Sequence, residues 1–214
     1  MTRPSRQTIS PQPARERILV AAARLFYHNG IRATGVDHLI SEAGVAKMSF
    51  YAHFPSKKEL VHAFLERRHA YWIDMFSREV EARLPSEGLA AIGSALLAWF
   101  TGDNFRGCAF INTYAEFGAD FPESVAHKAE LAEYVREIAR RLELTNPEAV
   151  MEQAMIIIEG AIIRAQMGAT NSLQPPLSGL LRLVESAFSA RSCSENTADS
   201  QIAGTNRVGF KRLQ

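Results

Sequence analysis

The sequence predicts an all-α protein with a small three-helix head at the N-terminus and a larger helical body behind it. Three observations predict this. Apolar residues recur at i, i+3, i+4 and i+7 along nearly every segment, the period of a helix with one buried face. Gly and Pro fall between those stripes, where helices start and stop. Charge divides the chain: residues 1–60 hold nine Lys/Arg against four Asp/Glu, and residues 61–192 hold twelve against seventeen. A basic module on an acidic body suits a nucleic-acid-binding head with another task behind it.

Composition narrows the class. The 214 residues are 47% hydrophobic, enough for a packed core. Two cysteines, Cys108 and Cys193, make no disulfide framework, so a cytoplasmic protein is expected. No apolar run reaches the roughly 18–20 residues of a membrane span. The first dozen residues are polar and lack the apolar stretch of a signal peptide. No histidine or cysteine spacing suits a metal, and no Ser/His/Asp set, paired carboxylates or Gly-rich phosphate loop appears. Neither metal, cofactor nor enzymatic activity is therefore expected.

Taken in order, residues 1–13 read as a disordered basic arm in which Arg3 and Arg6 are available to phosphates. Residues 14–29 form a helix with Ile18, Ala22, Leu25 and Phe26 as its buried stripe, ended by Gly30. Thr34 precedes a second stripe, Val36, Leu39, Ile40 and Ala43, and is expected to cap it, with Asp37 three residues on. Gly44 breaks that helix in the manner of a left-handed stop. Val45, Phe50 and Phe54 restart the apolar face, and Pro55 ends it. Ser56 and Glu59 then form a Ser-x-x-Glu capping box for a third helix. Two short helices meeting across a glycine turn are a helix-turn-helix, whose second helix enters the DNA major groove. Its polar surface holds Lys47, Met48, Ser49, Tyr51 and His53. Lys47 and Ser49 are the candidates for base edges, and Met48 offers apolar contact to a thymine methyl. Lys57 opens a helix where the dipole disfavours a cation, which a phosphate partner explains. Thr34 offers its hydroxyl, or its helix N–H groups, to phosphate.

The run GVAKMSFYAHFPSKKEL resembles the helix-turn-helix of the TetR family of bacterial transcriptional regulators. Gly44, Val45, Tyr51, His53, Phe54, Ser56, Lys57, Glu59 and Leu60 fall on that family's pattern. Ala46 stands where the family often has Ser or Thr, at a cost of about 0.5–2 kcal/mol if no cap replaces it. Met48 stands where the family often has Gly, which puts a side chain within reach of a base. The resemblance implies a homodimer whose all-α body binds a small-molecule effector and alters the spacing of two DNA heads. It further implies a repressor released from a palindromic operator. The alternative is a dimeric small-molecule-binding adaptor whose helix-turn-helix does not read DNA, and Ala46 and Met48 are its support.

The reading thus assigns 14–60 to the DNA-binding head, 61–192 to ligand binding and dimerisation, and 193–214 to a disordered tail. The helix opened at Ser56 continues to about Leu84 and serves both halves, a mechanical link from body to head. Helices follow over 86–101, 106–117, 123–144 and 148–168, the last with Asn146 and Pro147 as its start signal. A final helix is expected to begin at Pro175-Pro176. Trp72, Trp99, Phe100, Phe110, Tyr114 and Met155 are core residues of which some are expected to line an effector pocket. Glu159, the lone charge between Ala154 and Ile163, is either a paired carboxylate or a ligand anchor. Ile156 and Ile163 on the all-round apolar helix, with Leu177, Leu180, Leu181, Val184 and Phe188 on the last, are expected to form an inter-subunit four-helix bundle.

Overall fold

The computed structural model describes residues 13–189. The expected basic arm with Arg3 and Arg6, and the expected tail with Cys193, lie outside the described residues. Every regular element among the described residues is helical. The order is α1 (Ala14–Asn29), α2 (Val36–Ala43), α3 (Lys47–His53), α4 (Lys57–Glu87), α5 (Ala90–Phe100), α6 (Ala109–Phe117), a single 3-10 turn (Gly118–Asp120), α7 (Glu123–Arg141), α8 (Pro147–Gln166) and α9 (Thr170–Phe188). No helix among the described residues is long and apolar enough to cross a membrane.

The head forms because three amphipathic pieces share one small core. Ile18, Ala22, Leu25 and Phe26 of α1 are buried together with Leu39, Phe50 and Phe54. The turn between α2 and α3 depends on Gly44, which sits in the left-handed region at φ 59°. In that conformation its N–H reaches the carbonyls of Ile40 and Ser41, and Val45 N–H reaches Ile40 as well. A side chain at 44 would be strained there. From α1, Arg17 Nη1 donates to the Gly44 carbonyl at 3.1 Å and pins the turn.

Thr34 does not cap α2. Gly35 holds the cap position, and Thr34 Oγ1 donates back to the Gly30 carbonyl at 2.8 Å. With its side chain turned into the core and only 1% of the residue exposed, its hydroxyl is consumed inside the head.

Helix α4 spans 31 residues, about 46 Å at 1.5 Å per residue. The capping box holds: Ser56 Oγ accepts from Glu59 N–H at 3.1 Å. Leu60, Val61 and Phe64 at its start are buried, as are Trp72, Phe76, Val80 and Leu84 further along. One helix is therefore packed into both halves. It runs through Pro85 to Glu87, beyond the expected end, because a proline this near a C-terminus removes only one late hydrogen bond.

The body wraps α5 to α9 around the rest of α4. Asn146 caps α8, its Oδ1 accepting from Ala149 N–H. Helix α9 starts at Thr170, five residues before the prolines expected to open it. Leu173 is buried and fastens this extra turn to the core. Carbonyls left without a donor by Pro175 and Pro176 belong to Asn171 and Ser172, both exposed to water. The apolar stripe of α9 also divides differently from expectation. Leu177, Leu181 and Val184 are buried within the protomer, the first two against α5 at Gly93. They are core residues rather than a free dimer face.

At the centre of the body Trp72 stacks on Phe76 at 4.6 Å and meets Trp99 and His127 edge-on. Phe110 stacks on the His127 ring at 3.8 Å. His127 Nδ1 lies 3.0 Å from His69 Nδ1, and His69 Nε2 lies 3.0 Å from Glu130. Burial among aromatic rings, reinforced by the charges of Lys128, His69 and Arg68, pulls the His127 pKa down to about 3.

Unfolded, His127 regains an ordinary value near 6.5 and takes up a proton that the native ring refuses. Its contribution is whole above pH 6.5 and declines as pH falls toward 3. At pH 5 the loss is about 2 kcal/mol, from 1.36 kcal/mol per pK unit. Urea denaturation of the wild type and of His127→Leu at pH 7 and pH 5 checks this. The variant should show a smaller drop between the two pH values; equal drops would place the acid sensitivity elsewhere.

Candidate nucleic-acid interface

Helix α3 is seven residues long and presents one face to the core and the other to solvent. Phe50 has no exposed surface at all. Around it the opposite face is open: Lys47, Ala52 and His53 are exposed, Met48 is 86% exposed and Tyr51 42%. Ser49 is half-buried. Lys47 is held loosely, its Nζ 3.7 Å from the exposed Asp37 carboxylate. At the N-terminus of α3 Ala46 holds the cap position with no side-chain bond. What this face can do is donate from Lys47, Ser49, Tyr51 and His53 and pack Met48 against an apolar surface. Lys57, at the start of α4, is half-buried, and loss of water lowers its pKa while the nearby Glu116 opposes the shift.

A joint between head and body was not foreseen from the sequence. Glu116, near the end of α6, accepts from the backbone N–H of Ile31 at 3.1 Å and of Arg32 at 2.7 Å. In return Arg32 Nη2 donates to the Glu116 carbonyl, and its guanidinium lies over the Phe117 ring at 4.8 Å. Gly30, at φ 86°, makes the approach possible, since a Cβ there would stand 3.2 Å from the Glu116 carboxylate. Tyr27 adds a second tie, its hydroxyl donating to the Gly107 carbonyl and accepting from Arg106 N–H. The α1–α2 loop is thus bolted directly to α6, in parallel with the α4 link. Nothing in the sequence near Glu116 marks it, because its partners lie some 85 residues away.

The residues expected to line an effector pocket separate into groups. Trp72, Trp99, Phe100 and Phe110 belong to the aromatic core, where Phe105 joins them against Trp99 and Phe100. Met155 is half-buried against the hydrophobic core at large. Tyr114 does not join it: half of its surface faces solvent. Glu159 is a paired carboxylate, with Lys128 Nζ at 2.8 Å, which accounts for its place on an apolar helix. Cys108 is buried.

The apolar outer face of α8 and α9 is real but composed differently. Ile156 is 72% exposed, and Ile163 and Leu180 are also exposed, while Phe188 is half-buried. Leu183, 67% exposed and absent from the expected set, completes the face. Ile156, Ile157, Leu180 and Leu183 line a shallow groove of about 370 Å³ there.

A sequence profile of bacterial regulatory proteins of the tetR family matches residues 18–64, the span of the head just described. Residues 18–64 thus form a head of the tetR-family type. The chain is 50% identical over 46 residues to the HTH-type transcriptional regulator LmrA of Bacillus subtilis, 22% of this chain and 24% of that one. This chain thus matches about a quarter of that relative's length. Over most of the chain the likeness is one of fold. SCO4454, a TetR-family transcriptional regulator from Streptomyces coelicolor, superposes with a TM-score of 0.72 at 24% identity, covering 83% of this chain and 96% of its own. A cysteine mutant of the TetR-family regulator CifR, solved with 26-bp double-strand operator DNA, superposes with a TM-score of 0.68 at 23% identity, covering 78% and 95%.

Removing the Glu116 carboxylate takes two charge-assisted hydrogen bonds, each worth about 1.5–3 kcal/mol, from the Ile31 and Arg32 amides. Glu116→Ala should raise hydrogen exchange at those two amides by about tenfold or more, with exchange in α8 and α9 unchanged. Unaltered exchange at Ile31 and Arg32 would mean that the joint carries no load.

Proposed function

We propose that this protein is a homodimeric, ligand-responsive transcriptional repressor of the TetR family. It binds a palindromic operator through α3 and leaves it when a small molecule occupies the body. The observation that carries the DNA reading is the α3 face. Lys47, Met48, Tyr51 and His53 stand out from a helix whose inner side is fully buried at Phe50. Such a face meets base edges and phosphates with little ordering cost. Lys57 then serves a phosphate at the edge of the groove. Kinship with LmrA and the DNA-bound CifR supports the same reading.

Dimerisation rests on the α8–α9 face. Ile156, Leu180 and Leu183 expose apolar surface in a chain that buries its other stripes, and a second copy covers such a face symmetrically. Two heads then meet successive major grooves about 34–36 Å apart. An effector in the aromatic body acts by favouring the dimer whose heads are wrongly spaced, through its unequal affinity for the two states. The α4 helix and the Glu116 joint supply stiff connections for that change to reach α3. The head is 14–60 and the effector and dimer region 61–192 in this reading.

Selection from a random duplex pool should converge on a two-fold symmetric site. Binding to it should weaken steeply with salt, by a log–log slope near −0.9 per phosphate contact. Lys57→Ala should weaken binding by about 10–100-fold and Tyr51→Phe by about 2–10-fold. Unchanged affinity in both variants, or a flat salt response, contradicts the assignment. By sedimentation the wild type should run at about twice its 23.7 kDa chain mass. Replacing Ile156 and Leu183 together by Glu should give a folded monomer; a variant that remains dimeric rules out this face.

A further inference from the structure

A cleft of about 520 Å³ lies at the junction of head and body, beside the Glu116 joint. Its size is that of a small-molecule site. Arg32, Lys57, Lys58 and Asp120 are the charged groups of its lining, three cations to one carboxylate, while Glu116 at its edge already accepts from the Ile31 and Arg32 amides. Among the described residues none of these four makes an ion pair within 4 Å, although fourteen such contacts occur elsewhere from Arg24–Glu42 to Arg141–Glu81. The floor is apolar. Phe117 and Phe121 meet edge-to-face at 5.2 Å, and Phe121 is buried. Arg32 is exposed, and its guanidinium lies over Phe117, which holds its charge at the wall of the cleft.

Like charges grouped in one cleft repel, and Asp120 and the already engaged Glu116 offset only part of this. DNA phosphate answers for Lys57 and Lys58 from outside, but it has no use for an aromatic floor or for Arg32 behind it. A ligand with both a negative end and a flat apolar end uses every part. We infer that this cleft binds an amphipathic organic anion, an aromatic or short acyl carboxylate, with its carboxylate on Lys57 and Lys58 and its apolar body on Phe117 and Phe121. The site is separate from the effector region in the body. Because Lys57 is also the phosphate contact proposed above, the anion competes with DNA for it; that consequence rests on the DNA reading, whereas the binding itself does not.

The probe is 2-naphthoate, compared with the neutral, near-isosteric 2-naphthamide, titrated into the full-length protein by calorimetry at low salt. Naphthoate should bind about tenfold or more tightly than the amide, which corresponds to about 1.4 kcal/mol. Lys58→Ala, at an exposed position, should weaken naphthoate about fivefold or more and leave the amide unchanged. In ¹⁵N spectra the amides of Arg32, Val61, Phe117 and Phe121 should shift. Equal affinities for the two probes, no binding by millimolar concentrations, or an unaffected Lys58→Ala variant overturns the proposal. Shifts confined to the Trp72 and Trp99 indoles overturn it too, while supporting the effector reading of the body.

Discussion

The burial of Phe50 is the constraint on which the rest depends. A seven-residue helix does not persist in water by itself, since nucleation costs more than so few hydrogen bonds return. Packing must hold α3 in place. One ring with no exposed surface, seated among the residues of α1 and α2, supplies that packing. Fixing the ring fixes the rotation of the helix, and so decides which side chains stand outside. Gly44 sets the angle at which α3 leaves α2, and Arg17 holds that turn from behind. The missing cap at Ala46 is tolerated because tertiary contacts, not end effects, maintain the helix.

The same economy governs how the head sits on the body. α4 buries Leu60 and Phe64 near one end and Phe76 and Leu84 near the other, so it cannot move in one half without disturbing the other. Glu116 closes a second connection, from α6 to the α1–α2 loop, made of charge-assisted bonds rather than apolar area. Two connections of different chemistry constrain rotation better than one. The apolar link resists separation, and the polar link fixes orientation because hydrogen bonds are directional. The aromatic core around Trp72 and His127 lies between them, bounded by α4, α6 and α7.

Much of the head was legible in the sequence because its determinants are local. Gly44, the Ser56–Glu59 box and the stripe of α1 lie within a few residues of what they control. Thr34 misled because a hydroxyl before a helix serves equally as a cap or as a back-bond, and the Gly30 carbonyl won. Periodicity located α9 but not its start: Leu173 anchors a turn ahead of two prolines that read as an opening. Nor did the stripe say which side meets the protomer's own core. Leu177 and Leu181 turned inward while Leu183, one row round the helix, remained outside. Glu116 and the His69–His127 pair could not be read at all, since their partners come from distant helices.

The central claim is that the exposed side of α3 is the surface that meets DNA. Met48 offers a direct probe, because the residue is 86% exposed and its thioether oxidises readily to the sulfoxide. Met167, 81% exposed at the far end of α8, is the internal control. The rates of peroxide oxidation at both residues should be measured by mass spectrometry, free and saturated with selected duplex. Marked protection of Met48 with Met167 unaffected is the predicted result. Met48 oxidising equally fast in the complex would contradict the account.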